Sequence, residues 1–223
     1  MKRKIIITED GSHTLHVPEW DEHYHSTHGA IRESQHVYID AAMKPAMNTF
    51  TEIHLLEIGF GTGLNAFLTM IEATGHVPVF YTGIEAYPLN EEEIGVINYP
   101  ELLHFDDSIF QALHVSPSNR DFIEIQPHFF LKKLYTLLQD ISLPDNIYNT
   151  VYFDAFAPSV QPELWEKEIF DKIYRSMVPG GILSTYSAKG SVRRTMQETG
   201  FLVERLPAPA GKREMLRAKK PAF

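Results

Sequence analysis

The chain contains no cysteine. That excludes disulfides, thiolate metal ligands and a cysteine nucleophile, and it fits a reducing cytoplasm. Long apolar runs are missing too. No window approaches the ~18 uncharged apolar residues of a membrane-spanning helix, so no membrane partner is expected. The N-terminal MKRKIIITEDG has basic residues but only a short apolar stretch, too short for a secretory signal. Pro/Gly/Ser-rich linkers and internal repeats are also lacking. What is present is ordinary for one globular core: 223 residues, 43% hydrophobic and 22% charged.

The charge is unevenly spread. The net value is −9, yet Tyr186 to Phe223 holds nine basic and three acidic residues, a surplus of +6, which leaves −15 for the rest. A basic end on an acidic body suits a polyanionic partner, and it equally describes a solvated tail.

Residues 53 to 66, IHLLEIGFGTGLNA, narrow the function most. Ile53 to Ile58 has the apolar run of a buried strand. Gly59, Gly61 and Gly63 follow at alternate positions, and Leu64 onward has helical spacing. Strand, glycine turn and helix put backbone N–H groups at a helix N-terminus, open to a ligand. The spacing departs from the dinucleotide G-x-G-x-x-G, because Leu64 stands where its third glycine belongs. E-x-G-x-G-x-G is the form found in S-adenosylmethionine-dependent methyltransferases. A tight turn in another α/β protein is the bland alternative. Val79 to Ile84 reads as the second strand and ends in Glu85, 22 residues past Gly63. A carboxylate there can accept two hydrogen bonds from a ribose diol. NAD-binding folds share that arrangement, and an exposed strand-end Glu is the plain reading.

Along the chain, Ile5–Thr8 and Thr14–Val17 around Asp10-Gly11 suggest a hairpin. Residues 19 to 36 are dense in histidine, including His23, His25, His28 and His36. His23 and His25 are two apart, a poor spacing for one helical face, and no metal is expected. A helix from Ser26 or Thr27 to Met43 follows. Further helices are expected over 89–98, 101–114, 129–139, 162–177 and 189–199. Strands are expected over 121–126, 149–153, 182–186, 201–206 and 213–219. Alternating strands and helices imply a mostly parallel, doubly covered sheet. The last two strands have no helix between them, which implies an antiparallel pair at the sheet edge. Dehydrogenase sheets usually lack that ending, and methyltransferase sheets have it. The division expected is 1–45, a hairpin and helix covering the site, and 46–223, the main domain.

Residues 149–158, NTVYFDAFAP, carry the second signal. A buried strand delivers Asp154 to the carboxyl edge of the sheet, where open α/β folds bind ligands. Phe156 and Pro158 can wall an apolar pocket beside it. Methyl transfer to an amine is an in-line displacement that needs a neutral, oriented nucleophile. A carboxylate can bind the ammonium form and then accept or pass on its proton. Asp154 can equally cap the loop that follows.

Four blocks together resemble a known family: DEHYHSTHGAIRESQHVYI at 21–39, EIGFGTGLNAF at 57–67, DAFAPSVQPELW at 154–165, and TYSAKGSVRRTMQETGF with GKREML at 185–216. They are similar to the methyltransferase domain of the bifunctional tRNA-modifying protein MnmC and its stand-alone relatives. The resemblance implies a class I S-adenosylmethionine-dependent methyltransferase, an α/β Rossmann-like sheet with a C-terminal antiparallel strand pair and a small N-terminal appendage. It implies an N-methyltransferase converting 5-aminomethyl(-2-thio)uridine to the 5-methylaminomethyl form at the tRNA wobble position. Carried over by residue, Glu57, Gly59, Gly61, Gly63 and Asn65 line the methionine and ribose part of the cofactor site, and Glu85 takes the ribose. Asp154, Phe156 and Pro158 face the amine. Glu33 and Ser34 close the site, with Tyr38 nearby. Lys189, Arg193, Arg194, Lys212 and Arg213 are the candidates for holding the tRNA, with its anticodon loop entering the pocket. Two departures stand out. No flavin oxidase half is recognisable, and His128 stands after the expected third strand, where methyltransferases often carry an acid for the adenine amine. A small-molecule or protein N-methyltransferase on the same fold, and a silent RNA-binding subunit, remain open readings.

Overall fold

The computed structural model describes residues 1–118, 121–209 and 213–222. The central sheet forms because its strands are apolar on both sides. In β4 (Ile53–Ile58), Leu55 faces one core cluster and Leu56 the other. In β8 (Tyr148–Phe153), Tyr152 and Phe153 divide in the same way. Period-2 alternation with no polar face marks strands covered by helices on both sides.

Six further strands complete the sheet: β5 (Val79–Glu85), β6 (Ile123–Gln126), β7 (Phe129–Tyr135), β9 (Met177–Thr185), β10 (Leu202–Pro207) and β11 (Glu214–Lys219). The eight lie in the order β10-β11-β9-β8-β4-β5-β7-β6. β4 pairs in parallel with both β5 and β8, so the chain winds outward in two directions from it. The crevice between the β4 and β8 ends is the topological switch point, where such sheets bind ligands. β10 and β11 form the antiparallel edge pair.

The N-terminal strands β1 (Lys4–Ile7), β2 (His13–Val17) and β3 (Glu22–His23) make a separate antiparallel sheet. The helix after them differs from expectation. It starts as α1 (Ala30–Ser34), because Gly29 at φ 131° breaks the chain before it. It then widens into a π-helix, Gln35–Met43, and closes as α2 (Lys44–Met47). α3 (Leu64–Ala73) follows the glycine turn. Between β5 and β6 lie three short helices: α4 (Glu91–Gly95), α5 (Tyr99–Leu102) and α6 (Asp107–Val115). The expected helix over 101–114 is interrupted, since His104 has positive φ and Asp106 caps α6. α7 (Lys167–Ser176) and α8 (Gly190–Thr199) cover the opposite face.

One expectation fails outright. Residues 129–139 form no long helix. They form β7, parallel to β5, followed by a single 3-10 turn, Leu138–Asp140. Phe129, Leu131 and Lys133 point inward at alternate positions, the period of a strand. β7, not the segment 121–126, is therefore the third parallel strand, and β6 pairs with it antiparallel as an outer edge. His128 sits in the tight turn between them, at φ 69°, beside the start of β7. That is the wrong end of the sheet for an adenine contact.

Candidate active site

The site is built from three strand ends. After β4 the chain turns through Gly59, Gly61 and Gly63, at φ 89°, 52° and 74°. Those left-handed values favour glycine. A Cβ on Gly59 would lie 2.5 Å from the carbonyl oxygen of Asp154, so glycine is what lets the β4 and β8 ends come together. The turn's amides are largely used inside the protein. Gly59 and Phe60 donate to the Ile84 carbonyl at 3.0 and 3.1 Å, Gly63 donates to Phe60, and Gly61 donates to Glu85 Oε2 at 2.7 Å. A dinucleotide pyrophosphate needs such donors free. A ligand without phosphate needs only the open surface of the turn.

Glu85 ends β5, only 8% exposed, and also accepts from the Tyr87 amide at 2.7 Å. Burial raises its pKa, against the pull of the Tyr87 and Gly61 amides.

Asp154 follows β8. Its Oδ1 accepts from the Tyr38 hydroxyl at 2.6 Å and its Oδ2 from Asn65 Nδ2 at 2.8 Å. The same Asn65 nitrogen donates to Glu57 Oε1 at 2.9 Å. Glu57 is fully buried, and desolvation pushes its pKa well above the carboxylate range. Two neighbouring carboxyl groups thus sit in opposite environments. Glu57 is held towards the neutral acid, while Asp154 opens on the cleft, its side chain fixed by two donors.

The cleft has a volume of about 470 Å³. Gly59, Gly61, Asn65, Glu85, Glu33, Asp154 and Phe156 line it. Glu57, Gly63, Ser34 and Pro158 do not. Strand parity puts Glu57 on the Leu55 face, beneath α3, and Ser34 is fully buried. Lys189 and Arg194 are exposed and Arg193 half-buried, at the start of α8, and Arg213 is exposed beside β11. Lys212 lies outside the described residues.

Several wall residues escaped the sequence reading. Tyr24 packs on Gly61, where an added Cβ would come within 3.1 Å of its ring. Arg3 Nε donates to the Tyr24 hydroxyl at 2.8 Å, while its guanidinium holds Glu93 and the Tyr87 carbonyl. His25 Nε2 lies 2.8 Å from the Thr62 hydroxyl, so the N-terminal sheet is pinned over the glycine turn. Tyr186 donates to the Ala155 carbonyl at 2.9 Å, and Thr136–Gln139 close the β7 end. Tyr24 and His25 fall in the histidine-dense segment. Among the described residues no group of three or more His, Cys, Asp or Glu is placed to hold a metal.

The residues fit S-adenosylmethionine. Glu85 would face the ribose, the glycines would offer a surface without side chains, and Ile84 of β5 with Leu137 and Leu138 after β7 would offer apolar contact. Residues 123–221 match the family model described as S-adenosyl-L-methionine-dependent methyltransferase. In fold, cleft and match the chain is similar to class I S-adenosylmethionine-dependent methyltransferases, and S-adenosylmethionine is the cofactor that its residues fit. Within that class the chain resembles the methyltransferase part of MnmC. It is 30% identical, over 90% of its length, to the tRNA 5-methylaminomethyl-2-thiouridine biosynthesis bifunctional protein MnmC of Leptospira borgpetersenii. It is 26% identical, over 91% of its length, to the protein of the same name from Aeromonas hydrophila. The chain covers 32% and 33% of those two proteins, about a third of their length. The crystal structure of MNMC2 from Aquifex aeolicus aligns with all of the chain and 73% of its own, at 25% identity and a TM-score of 0.76. Spermidine synthase from Thermotoga maritima shares the fold, with a TM-score of 0.58 at 11% identity.

Proposed function

We propose that this chain methylates the primary amine of 5-aminomethyl(-2-thio)uridine at the tRNA wobble position. One observation carries the reading. Among the described residues the cleft is lined by five carboxylates, Glu22, Glu33, Glu85, Asp154 and Glu163, and by no lysine or arginine. Such a lining favours a cationic acceptor and leaves phosphates outside. An aminomethyl group is largely protonated at neutral pH and fits that lining.

When bound, the cofactor supplies an electrophilic methyl group, whose bond to sulfur breaks as the bond to nitrogen forms. Glu85 takes the ribose, and Gly59, Gly61 and Asn65 face the methionine end. Glu33 closes the acceptor side. Asp154 binds the ammonium, orients it and stays ionised, while the ammonium passes one proton to solvent water and so exposes the nitrogen lone pair. Phe156 forms the apolar wall; its carbonyl is held by Trp165 Nε1 at 2.9 Å, and its ring meets Trp20 and Tyr24 edge-on. Orientation of this kind can lower a barrier by roughly 7–11 kcal/mol.

The RNA lies outside the cleft on the basic surface. Lys189, Arg193 and Arg194 start the helix that follows the wall residue Tyr186, and Arg213 sits beside the neighbouring strand. A wobble base in a single-stranded loop enters at less cost than a paired one. The relatives' names support tRNA as substrate, and a tRNA substrate places the protein in the cytoplasm. Among the described residues no helix is long and apolar enough to cross a membrane. The N-terminal segment 1–45 acts as the cover of the site, and 46–223 as the catalytic body.

The test is nucleoside mass spectrometry of tRNA from a deletion strain, before and after incubation with the purified protein and S-adenosylmethionine. Aminomethyluridine should accumulate in the strain and convert to methylaminomethyluridine in the tube. Full methylation in the deletion strain would refute the assignment.

A further inference from the structure

The π-helix Gln35–Met43 does more than cover the sheet. Its closing bond runs from the Lys44 amide to the Ile39 carbonyl, one residue longer than an α-helical bond. Each turn therefore takes up more residues, and side chains rotate relative to an α-helical register. Such segments are often found at functional sites. The register is fixed from the sheet: Ser184 Oγ donates to the Val37 carbonyl at 2.5 Å, and the Arg217 guanidinium donates to the Ala41 carbonyl at 3.3 Å. Between those two anchors Tyr38 leaves the helix, packs against Tyr152 at 5.1 Å between ring centroids, and donates to Asp154 Oδ1 at 2.6 Å.

We infer that Tyr38 is a positioning residue, which the π-helix aims at Asp154 so that this carboxylate stays ionised and fixed in one orientation towards the acceptor amine. The inference rests on the amine-methylating role assigned to the cleft. Tyr38 is buried and is not on the cleft wall, so it reaches the acceptor only through Asp154. Burial and the charge of Asp154 push the Tyr38 pKa far up. The hydroxyl therefore keeps its proton and acts as donor. A carboxylate that accepts hydrogen bonds is stabilised in its charged form. With Tyr38 on one oxygen and Asn65 on the other, Asp154 is held as an anion that grips an ammonium rather than as a base that takes its proton.

Two readouts separate this from a packing role. The first needs no acceptor: the Asp154 carboxyl is titrated by ¹³C NMR in the full chain, assigned by its loss in D154N. In Tyr38→Phe its midpoint should rise by roughly one pH unit. A more acidic donor, 3-fluorotyrosine placed at position 38, should move it the other way. The second is a double-mutant cycle on methyl transfer to aminomethyluridine in tRNA. Tyr38→Phe should lower kcat/KM roughly tenfold or more with cofactor affinity unchanged, and should cost little in the Asp154→Asn background. A midpoint that stays put in both position-38 variants, or an undiminished cost in the Asp154→Asn background, overturns the proposal. Should the parent protein fail to methylate tRNA, the acceptor assignment falls, and the titration still decides the role of Tyr38.

Discussion

The cleft and the C-terminal surface carry opposite charge and treat it in opposite ways. At the inner wall of the cleft and just behind it, carboxylates are withdrawn from water. Glu57 is wholly buried, Glu85 nearly so, and Asp154 is fixed by Tyr38 and Asn65. Around α8 and β11 several cations are solvated. Lys189, Arg194 and Arg213 are exposed, and the Arg205–Glu214 pair lies on the open surface. Desolvated charge acts on chemistry and is costly to disturb. Solvated charge acts on encounter and is screened by salt. On the proposed function, an acidic chain can still handle RNA, because the region that discriminates the reacting group is separate from the region that would meet phosphate.

The largest effect should come from the cleft's centre. Asp154→Asn keeps the shape and the donors but removes the charge, and turnover should fall by roughly 10²-fold or more while calorimetric cofactor affinity holds. Near-normal turnover would end the division of labour drawn here. Next, Glu85→Ala should weaken S-adenosylmethionine binding by about 1–3 kcal/mol, the scale for hydrogen bonds to a charged group. It should leave the affinity for tRNA as it was, and an unchanged cofactor isotherm would remove Glu85 from the ribose. On the basic side, replacing Arg193 and Arg194 with Ala should loosen tRNA and flatten its log–log salt dependence by roughly one per lost contact. Cofactor binding should not move, and an identical salt slope would show that RNA docks elsewhere.

The smallest effect should be on stability. His114 lies behind the glycine turn, where a Cβ on Gly63 would come within 2.9 Å of its Nε2. Burial first, and the Lys133 charge second, lower its pKa from 6.5 to about 4. Between those values the unfolded chain binds a proton that the folded one refuses, so stability falls as pH drops from 6.5 towards 4. His114→Gln should flatten the melting temperature over that window. An unaltered profile would show that His114 is charged in the fold.

The sequence was most legible where the cleft meets a strand end. The glycine turn, Glu85 and Asp154 each follow an apolar run that only a buried strand explains, and all three line the cleft. It was least legible where two periods compete. In FFLKKLY the apolar residues fit a helix almost as well as a strand, and the inward Lys133 hides the alternation. The third strand was therefore missed, and with it the wall at Thr136–Gln139. Glu57 was misplaced because its strand parity points it under α3. Tyr24 and Arg3 close the cleft through contacts with Gly61, Tyr87 and Glu93, and no local pattern announces a pairing 90 residues apart. The π-helix was equally hidden, since its register is set by Ser184 and Arg217 from distant strands.

The most direct test compares two tRNAs that differ only at the wobble base, one carrying aminomethyluridine and the other the carboxymethylaminomethyl form, in single-turnover methyl transfer. Both present an amine, but the second adds a carboxylate that must enter among Glu33, Asp154 and Glu163. A cleft that selects by charge methylates the first and leaves the second unmodified, although both bind the basic surface with similar affinity. Equal transfer to the two tRNAs would contradict it.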